Sequence, residues 1–129
     1  MPWTELTGAD YFRLLPNPLF TFALHDEFVA VGEIRDDEAR ALDRLRAALE
    51  RLPAAHRDTV TLLFRHLHRV AQRSSVNKMT PANLGVVFGP TLLRSSDPTA
   101  EFKGLDLRAR VLELLIQRAP VLFPPDSAP

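Results

Sequence analysis

The sequence predicts an all-α protein. Apolar residues recur at spacings of three and four along most of the chain, which is the spacing of one face of a helix. No stretch shows the sustained alternation of a half-buried β-strand, and prolines, glycines and charged residues divide the chain into helix-sized segments. With 129 residues, 46% hydrophobic and 25% charged, the chain fits a single globular domain.

Three helices are predicted in the first half of the chain. The first spans residues 8–15 and ends before Pro16, because a proline disfavours the helical conformation of the preceding residue. The second spans residues 25–31. The third begins at the acids of residues 36–38, which suit the positive end of a helix dipole, and ends before Pro53. Its core-facing stripe consists of Leu42, Leu45, Leu49 and Leu52.

A long helix with two different faces is predicted over residues 54–72. Its core face carries Val60, Leu63, Phe64, Leu67, Val70 and Ala71. Its basic face carries Arg65, Arg69 and Arg73 at intervals of four residues. Five Arg or Lys face the single acid Asp58 between residues 56 and 78, so this segment is locally positive. The basic face is either a solvated surface or a contact for acidic phospholipid or an acidic partner.

The next helix has an unusual composition. Thr80 and Pro81 mark its start, because Thr caps free backbone N–H groups and Pro at the first helical position loses no needed hydrogen bond. Its apolar stripe is Leu84, Val87, Phe88 and Leu92. It also carries Asn83, Gly85, Gly89 and Pro90, all poorer helix formers than Ala. A last helix is predicted over residues 106–119, with Leu107, Val111, Leu114 and Leu115 inward.

Several classes of function are disfavoured by composition and spacing. Lys plus Arg equals Asp plus Glu at 16 each, which argues against nucleic-acid binding by bulk charge. The lack of cysteine excludes disulfides and thiolate chemistry, and no apolar run reaches the ~20 residues of a membrane helix. No histidine pair has metal-ligand spacing, and no Ser or Asp lies in a nucleophile motif. We therefore expect a cytoplasmic protein without a metal site that is not itself a hydrolase.

Three sequence blocks together resemble the RhoGAP domain, the GTPase-activating domain for Rho-family small GTPases. They are residues 12–20 (Phe-Arg-Leu-Leu-Pro-Asn-Pro-Leu-Phe), residues 52–59 (Leu-Pro-Ala-Ala-His-Arg-Asp-Thr) and residues 77–94 (Asn-Lys-Met-Thr-Pro-Ala-Asn-Leu-Gly-Val-Val-Phe-Gly-Pro-Thr-Leu-Leu-Arg). The resemblance implies an N-terminally truncated helical bundle. Residues 1–8 are an atypical lead-in, residues 9–123 a partial RhoGAP domain, and residues 124–129 a flexible tail.

The resemblance also implies a catalytic element that these residues lack. In the family, an arginine finger lies in a Gly-Ile-Phe/Tyr-Arg type motif that precedes the Leu-Pro-x-Pro segment. Nothing before Arg13 matches it, and Gly32-Glu33-Ile34-Arg35 lies on the wrong side of that segment. We therefore expect no catalytic residue in this chain and weak or absent GTPase activation by it. No cofactor is expected, since GTP and Mg²⁺ belong to the partner GTPase.

Three residues correspond to positions that the family uses at its GTPase-binding surface. Arg13 matches an arginine that supports the finger loop and the contact surface. Asn83 matches an interface asparagine, although an asparagine satisfied inside the bundle is the alternative. Lys78 matches a contact at the rim of the interface. Ala9 stands where the family commonly has a lysine. Gly85 and Gly89 either allow another backbone to approach or serve tight helix packing.

Three hypotheses follow for the function. In the first, the chain comes from an activator of a Rho-family GTPase that supplies its arginine finger upstream. In the second, it is a finger-less module that binds GTP-loaded GTPase as a scaffold or competitor. In the third, it is a fragment whose uncovered apolar face needs a partner. Any peripheral membrane association is expected to come through the parent protein.

Overall fold

The computed structural model describes Phe12, residues 15–97 and residues 104–124, and these residues form a helical bundle. The described helices are α1 (His25–Val31), α2 (Glu38–Glu50), α3 (Ala54–Gln72), α4 (Ser74–Asn77), α5 (Pro81–Leu92), α6 (Leu105–Gln117) and α7 (Ala119–Leu122). No strand occurs in this part of the chain, which confirms the all-α prediction. Most of the helix predicted over residues 8–15 and the tail after Pro124 lie outside the described residues.

Local signals account for the starts of α2, α3 and α5. Pro53 is the N-cap of α3, and the predicted range 54–72 agrees with the helix. The Asp37 side chain accepts a hydrogen bond from the backbone N–H of Arg40 at 3.0 Å and caps α2. Thr80 Oγ1 accepts from the backbone N–H of Asn83 at 3.1 Å, and Pro81 follows it. The predicted start of α5 is therefore confirmed.

The last predicted helix is divided into α6 and α7 because of Pro120. Proline has no N–H, so it cannot donate to the carbonyl of Ile116 four residues earlier. His68 of α3 supplies a donor instead, with Nδ1 at 2.9 Å from Ile116 O. Because a carbonyl can only accept, His68 carries its proton on Nδ1. At the break in the helix, this hydrogen bond therefore joins α3 to α6.

Replacement of His68 by Phe is expected to lower the free energy of unfolding by about 1–2 kcal/mol, because Ile116 O loses this donor. His66, which is exposed on the same helix, offers a matched control. His66→Phe should change stability by less than about 0.5 kcal/mol. Urea unfolding followed by circular dichroism measures both variants. Equal losses in the two would show that the hydrogen bond contributes nothing.

Four aromatic rings connect the helices within the core. Phe20 lies edge-on to Phe28 of α1, with ring centroids 4.7 Å apart, and to Phe64 of α3 at 5.8 Å. Phe64 stacks on Phe123 at 5.9 Å. All four side chains are buried. The segment before α1 and the end of the described chain are thus held on α3.

Helix α6 packs against α5, α1 and α3. Its buried residues are Arg108, Val111, Leu112, Leu115 and Ile116. The predicted inward set is wrong for Leu107, which is half-buried and lies outside the core cluster, whereas Leu114 is half-buried and packs against the core. Arg108, which was not in the predicted set, is 1% exposed. An arginine is seldom fully buried, so residue type alone gives no sign of this burial.

The close approach of α5 and α6 explains two of the glycines. A Cβ atom on Gly85 would lie 2.4 Å from the carbonyl oxygen of Ala109, and one on Gly89 would lie 3.3 Å from the Ala109 nitrogen. The tight-packing interpretation of both glycines is therefore confirmed. None of the described helices is long and apolar enough to cross a bilayer.

Candidate functional site

The turn between α4 and α5, together with the first turn of α5, carries two of the three residues predicted at the GTPase-binding surface. Asn77 holds this turn through both ends of its amide. Its Oδ1 accepts from the backbone N–H of Met79 at 2.8 Å, and its Nδ2 donates to Val70 O at 2.9 Å. Lys78 adopts a left-handed conformation with φ 65°. The turn is thus tied to the C-terminal end of α3 and reverses sharply into α5.

Asn83 lies in the first turn of α5 and is exposed. Its Nδ2 donates to Lys78 O at 3.0 Å, so the structure brings these two predicted residues together. An Asn amide has two N–H donors and an oxygen acceptor. Within the described residues, Oδ1 of Asn83 accepts no hydrogen bond. One N–H and the oxygen therefore face solvent, where another molecule can reach them.

The ammonium group of Lys78 also faces solvent. The side chain is exposed, and its Nζ lies 3.4 Å from Ser75 O, near the limit of a hydrogen bond. It forms no ion pair with any described residue. A mobile, strongly hydrated ammonium of this kind suits a contact at the rim of an interface.

Two exposed valines flank this turn, and sequence reasoning did not select them. Val86 is 65% exposed and lies three residues after Asn83, on the same side of α5. Val76 is 83% exposed and lies two residues before Lys78. The available signal for Val86 was its position outside the buried stripe of Leu84, Phe88 and Leu92. We call Lys78, Asn83 and Val86 the α5 surface.

The first of the three blocks that carry the family resemblance contacts the other two. The Arg94 guanidinium donates to Leu15 O, and the backbone N–H of Phe20 donates to Leu92 O at 3.4 Å. His56 Nδ1 lies 2.8 Å from Leu19 O. The first block is therefore held between the start of α3 and the end of α5.

Arg13 lies outside the described residues. Its neighbours Phe12, which is buried, and Leu15, which is half-buried, both pack in or against the core. Its predicted role stays a prediction.

The segment that superficially resembles a finger motif is explained by packing. Gly32 follows α1, and a Cβ at this position would lie 2.8 Å from the carbonyl oxygen of Leu107 on α6. Ile34 packs against the core, while Arg35 is exposed. The glycine is thus required by the contact between α1 and α6. In the described part of the chain, no three His, Asp or Glu side chains gather in a metal-binding arrangement.

Comparison with known proteins covers most of the chain. The RhoGAP domain model matches residues 9–97. N-chimaerin of Mus musculus is 42% identical over 122 residues, which are 92% of this chain and 26% of that protein. Rho GTPase-activating protein 10 of Homo sapiens is 38% identical over 120 residues, which are 91% of this chain and 15% of that protein. The chain thus spans about a quarter or less of these two relatives.

Two solved structures have the same fold. The BH domain from GRAF, the GTPase regulator associated with focal adhesion kinase, superposes with a TM-score of 0.80 at 33% identity, over 89% of this chain and 62% of that one. Human Rho GTPase activating protein 15 superposes with a TM-score of 0.78 at 31% identity, over 85% of this chain and 52% of that one. By sequence and by fold, this chain belongs to the RhoGAP domain family.

Proposed function

We propose that this chain binds a GTP-loaded Rho-family small GTPase through Arg13, Lys78 and Asn83, and that its parent protein is an activator of GTP hydrolysis. The observation that carries the proposal is the α5 surface. There the Asn83 amide is fixed by Lys78 O, yet keeps an oxygen and an N–H for another molecule. Membership of the RhoGAP family supports this choice of partner.

The chemistry of such an activator lies in the partner. The GTPase holds GTP and Mg²⁺, and an activator adds positive charge to the phosphoryl group in the transition state. Only arginine offers a planar fork of donors that matches phosphate oxygens. The α5 surface supplies binding and orientation and places no guanidinium of its own at the phosphates. Arginines from elsewhere in the parent protein would supply the catalytic contact.

Binding without activation is the second candidate function. The observation that favours it is the lack of any finger motif before Arg13 in these 129 residues. A chain of this kind would occupy the GTPase and compete with a complete activator. It would act as a scaffold or as an inhibitor of activation.

Asn83→Ala is expected to weaken binding to a Rho-family GTPase loaded with a non-hydrolysable GTP analogue. Loss of one hydrogen-bonding amide at an interface should lower the affinity about tenfold, which is ~1.4 kcal/mol. Lys78→Ala should cost only about threefold, because a rim charge remains partly solvated. Isothermal titration calorimetry measures both affinities.

Gln117, an exposed amide on α6, provides a matched control for the binding experiment. Gln117→Ala should leave the affinity unchanged, and the circular dichroism of all variants should agree. The proposed surface would be wrong if Asn83→Ala bound as tightly as the unsubstituted chain. The proposed partner would be wrong if the unsubstituted chain bound no Rho-family GTPase in either nucleotide state.

A further inference from the structure

Helix α3 presents an outward row of side chains that the proposed GTPase contact does not use. Leu62, His66 and Arg69 of α3 and its C-cap residue Arg73 follow one another at intervals of four, three and four residues, so they continue along one side of the helix. All four are exposed, and they extend over about 17 Å along the helix axis. Val76 lies one turn beyond Arg73, since its backbone N–H donates to Arg73 O at 3.0 Å. We call these five residues the α3 stripe.

The basic face expected from the sequence is altered by one contact in the structure. Arg65 does not join Arg69 and Arg73 in solvent. Its Nε donates to Phe123 O at 3.0 Å, and its Nη2 donates to Pro124 O. Arg65 therefore holds the end of the described chain against α3. The two cations that stay outward are Arg69 and Arg73, and neither forms an ion pair or hydrogen bond within the described part of the chain.

The positive charge of the stripe is not cancelled by its own segment. No Asp or Glu occurs between residues 59 and 96, and Asp58 lies one turn before Leu62 at the end of the stripe. Glu50 of α2 lines a separate groove with Arg57 and Thr61. The stripe therefore attracts an anionic surface.

Both ends of the stripe carry exposed aliphatic side chains. Leu62 is 68% exposed and Val76 is 83% exposed, so no other described part of the chain covers them. Cations between two protruding aliphatic groups match the interface of an anionic bilayer, where headgroups carry charge and apolar side chains enter between them. From this charge complementarity we propose that the α3 stripe binds the surface of a membrane that contains anionic phospholipid.

The shape of the stripe favours a lipid surface over a folded protein partner. A standard protein interface uses about 20–30 residues on each side. The stripe is a row of five residues along α3 and α4, and among them Arg69 borders a small groove between α3 and α7. A bilayer can bind such a row at any position on its surface, because the charges of the lipid headgroups are distributed over a plane. This inference goes beyond the proposed GTPase binding and does not depend on it.

Co-sedimentation with phospholipid vesicles tests the proposal on the whole 129-residue chain. The chain should bind vesicles with about 30% phosphatidylserine in phosphatidylcholine and should not bind phosphatidylcholine alone. Because exposed charges are screened beyond about 8 Å at physiological ionic strength, binding should weaken as salt is added. Absence of phosphatidylserine-dependent binding would overturn the proposal.

Charge reversal provides the decisive comparison. The double variant Arg69→Glu with Arg73→Glu should lose at least about tenfold in vesicle affinity. Arg40→Glu with Arg44→Glu makes the same change in net charge at the same four-residue spacing on α2, where both arginines are also exposed. This control should bind nearly as tightly as the unsubstituted chain. An equal loss of vesicle affinity in both double variants would show that binding depends on net charge alone. That result would overturn the proposed role of the α3 stripe.

Further variants keep the test decisive if a reversed charge disturbs folding. Arg69→Gln with Arg73→Gln should weaken vesicle binding less than the Glu pair, and Leu62→Ser with Val76→Ser should weaken it about fivefold. All variants should unfold at the same temperature as the unsubstituted 129-residue chain. If vesicles are not bound but the Glu pair weakens GTPase binding, the stripe belongs to a protein interface and the proposal fails.

Discussion

Single-turnover GTP hydrolysis by a Rho-family GTPase is expected to proceed at its intrinsic rate when this chain is present in excess. An arginine finger contributes about 10³ to 10⁵ to the rate of hydrolysis, because it stabilises charge on the transferring phosphoryl group. No segment before Arg13 matches the motif that carries the finger. The segment of residues 32–35 superficially resembles that motif, but its glycine is explained by packing, because Gly32 lets the end of α1 approach Leu107 of α6.

Phosphate release from GTPase loaded with radiolabelled GTP measures this rate directly. Rho GTPase-activating protein 10 of Homo sapiens serves as the positive control, and the same assay with both proteins shows whether this chain competes with it. Acceleration of about a hundredfold or more by this chain alone would contradict the expectation. It would mean that an arginine among these residues reaches the phosphates. Arg13→Ala and Arg35→Ala would then identify it.

Gly85→Ala is expected to destabilise the fold, although alanine is the better helix former by about 1 kcal/mol. The new Cβ would lie 2.4 Å from a backbone oxygen of α6, which cannot move aside as a flexible side chain can. Separating two packed helices should cost more than the gain in helix propensity. We expect a net loss of about 2 kcal/mol or more, or a fall in Tm of roughly 6–10 °C.

Two further variants of α5 serve as controls for this effect. At Gly89, the nearest backbone atom would lie 3.3 Å from an added Cβ, so Gly89→Ala should cost less than Gly85→Ala. Val86 is exposed on the same helix, and Val86→Ala should change stability by less than about 0.5 kcal/mol. Differential scanning calorimetry of the three variants ranks them. A Gly85→Ala protein as stable as its parent would show that α5 and α6 can separate freely.

Sequence reasoning placed two helices with the correct boundaries, and one of them, α3, has a local start signal in Pro53. Residues 25–31 and 54–72 were predicted with the boundaries that the structure has. A proline or a capping side chain acts within four residues, so its effect can be read from neighbouring letters. The residues of the candidate site were identified in a different way. Asn83 and Lys78 came from the family resemblance, whereas Val86 emerged only when its exposure was known.

The errors have one physical origin. The buried face of α6 differs from the predicted one because Arg108 lies in the interior, and its charge gave no local sign of burial. Arg65 was assigned with Arg69 and Arg73 to an outward basic face, but it contacts the carbonyls of Phe123 and Pro124, which lie almost 60 positions further along the chain. Helical periodicity describes one element and does not identify the elements that pack against it.

The sequence by itself determined the all-α class, the principal helices with their caps, and the family, because these depend on short-range backbone preferences and on ordered blocks of residues. The tertiary structure alone decided which side chains are paired and which are available. It placed His68 on Ile116, which lies 48 residues away, and packed Gly85 against Ala109. It also left Asn83, Arg69 and Arg73 facing solvent. Contacts between distant segments depend on how helices approach one another, and that geometry is set by the packing of the whole core.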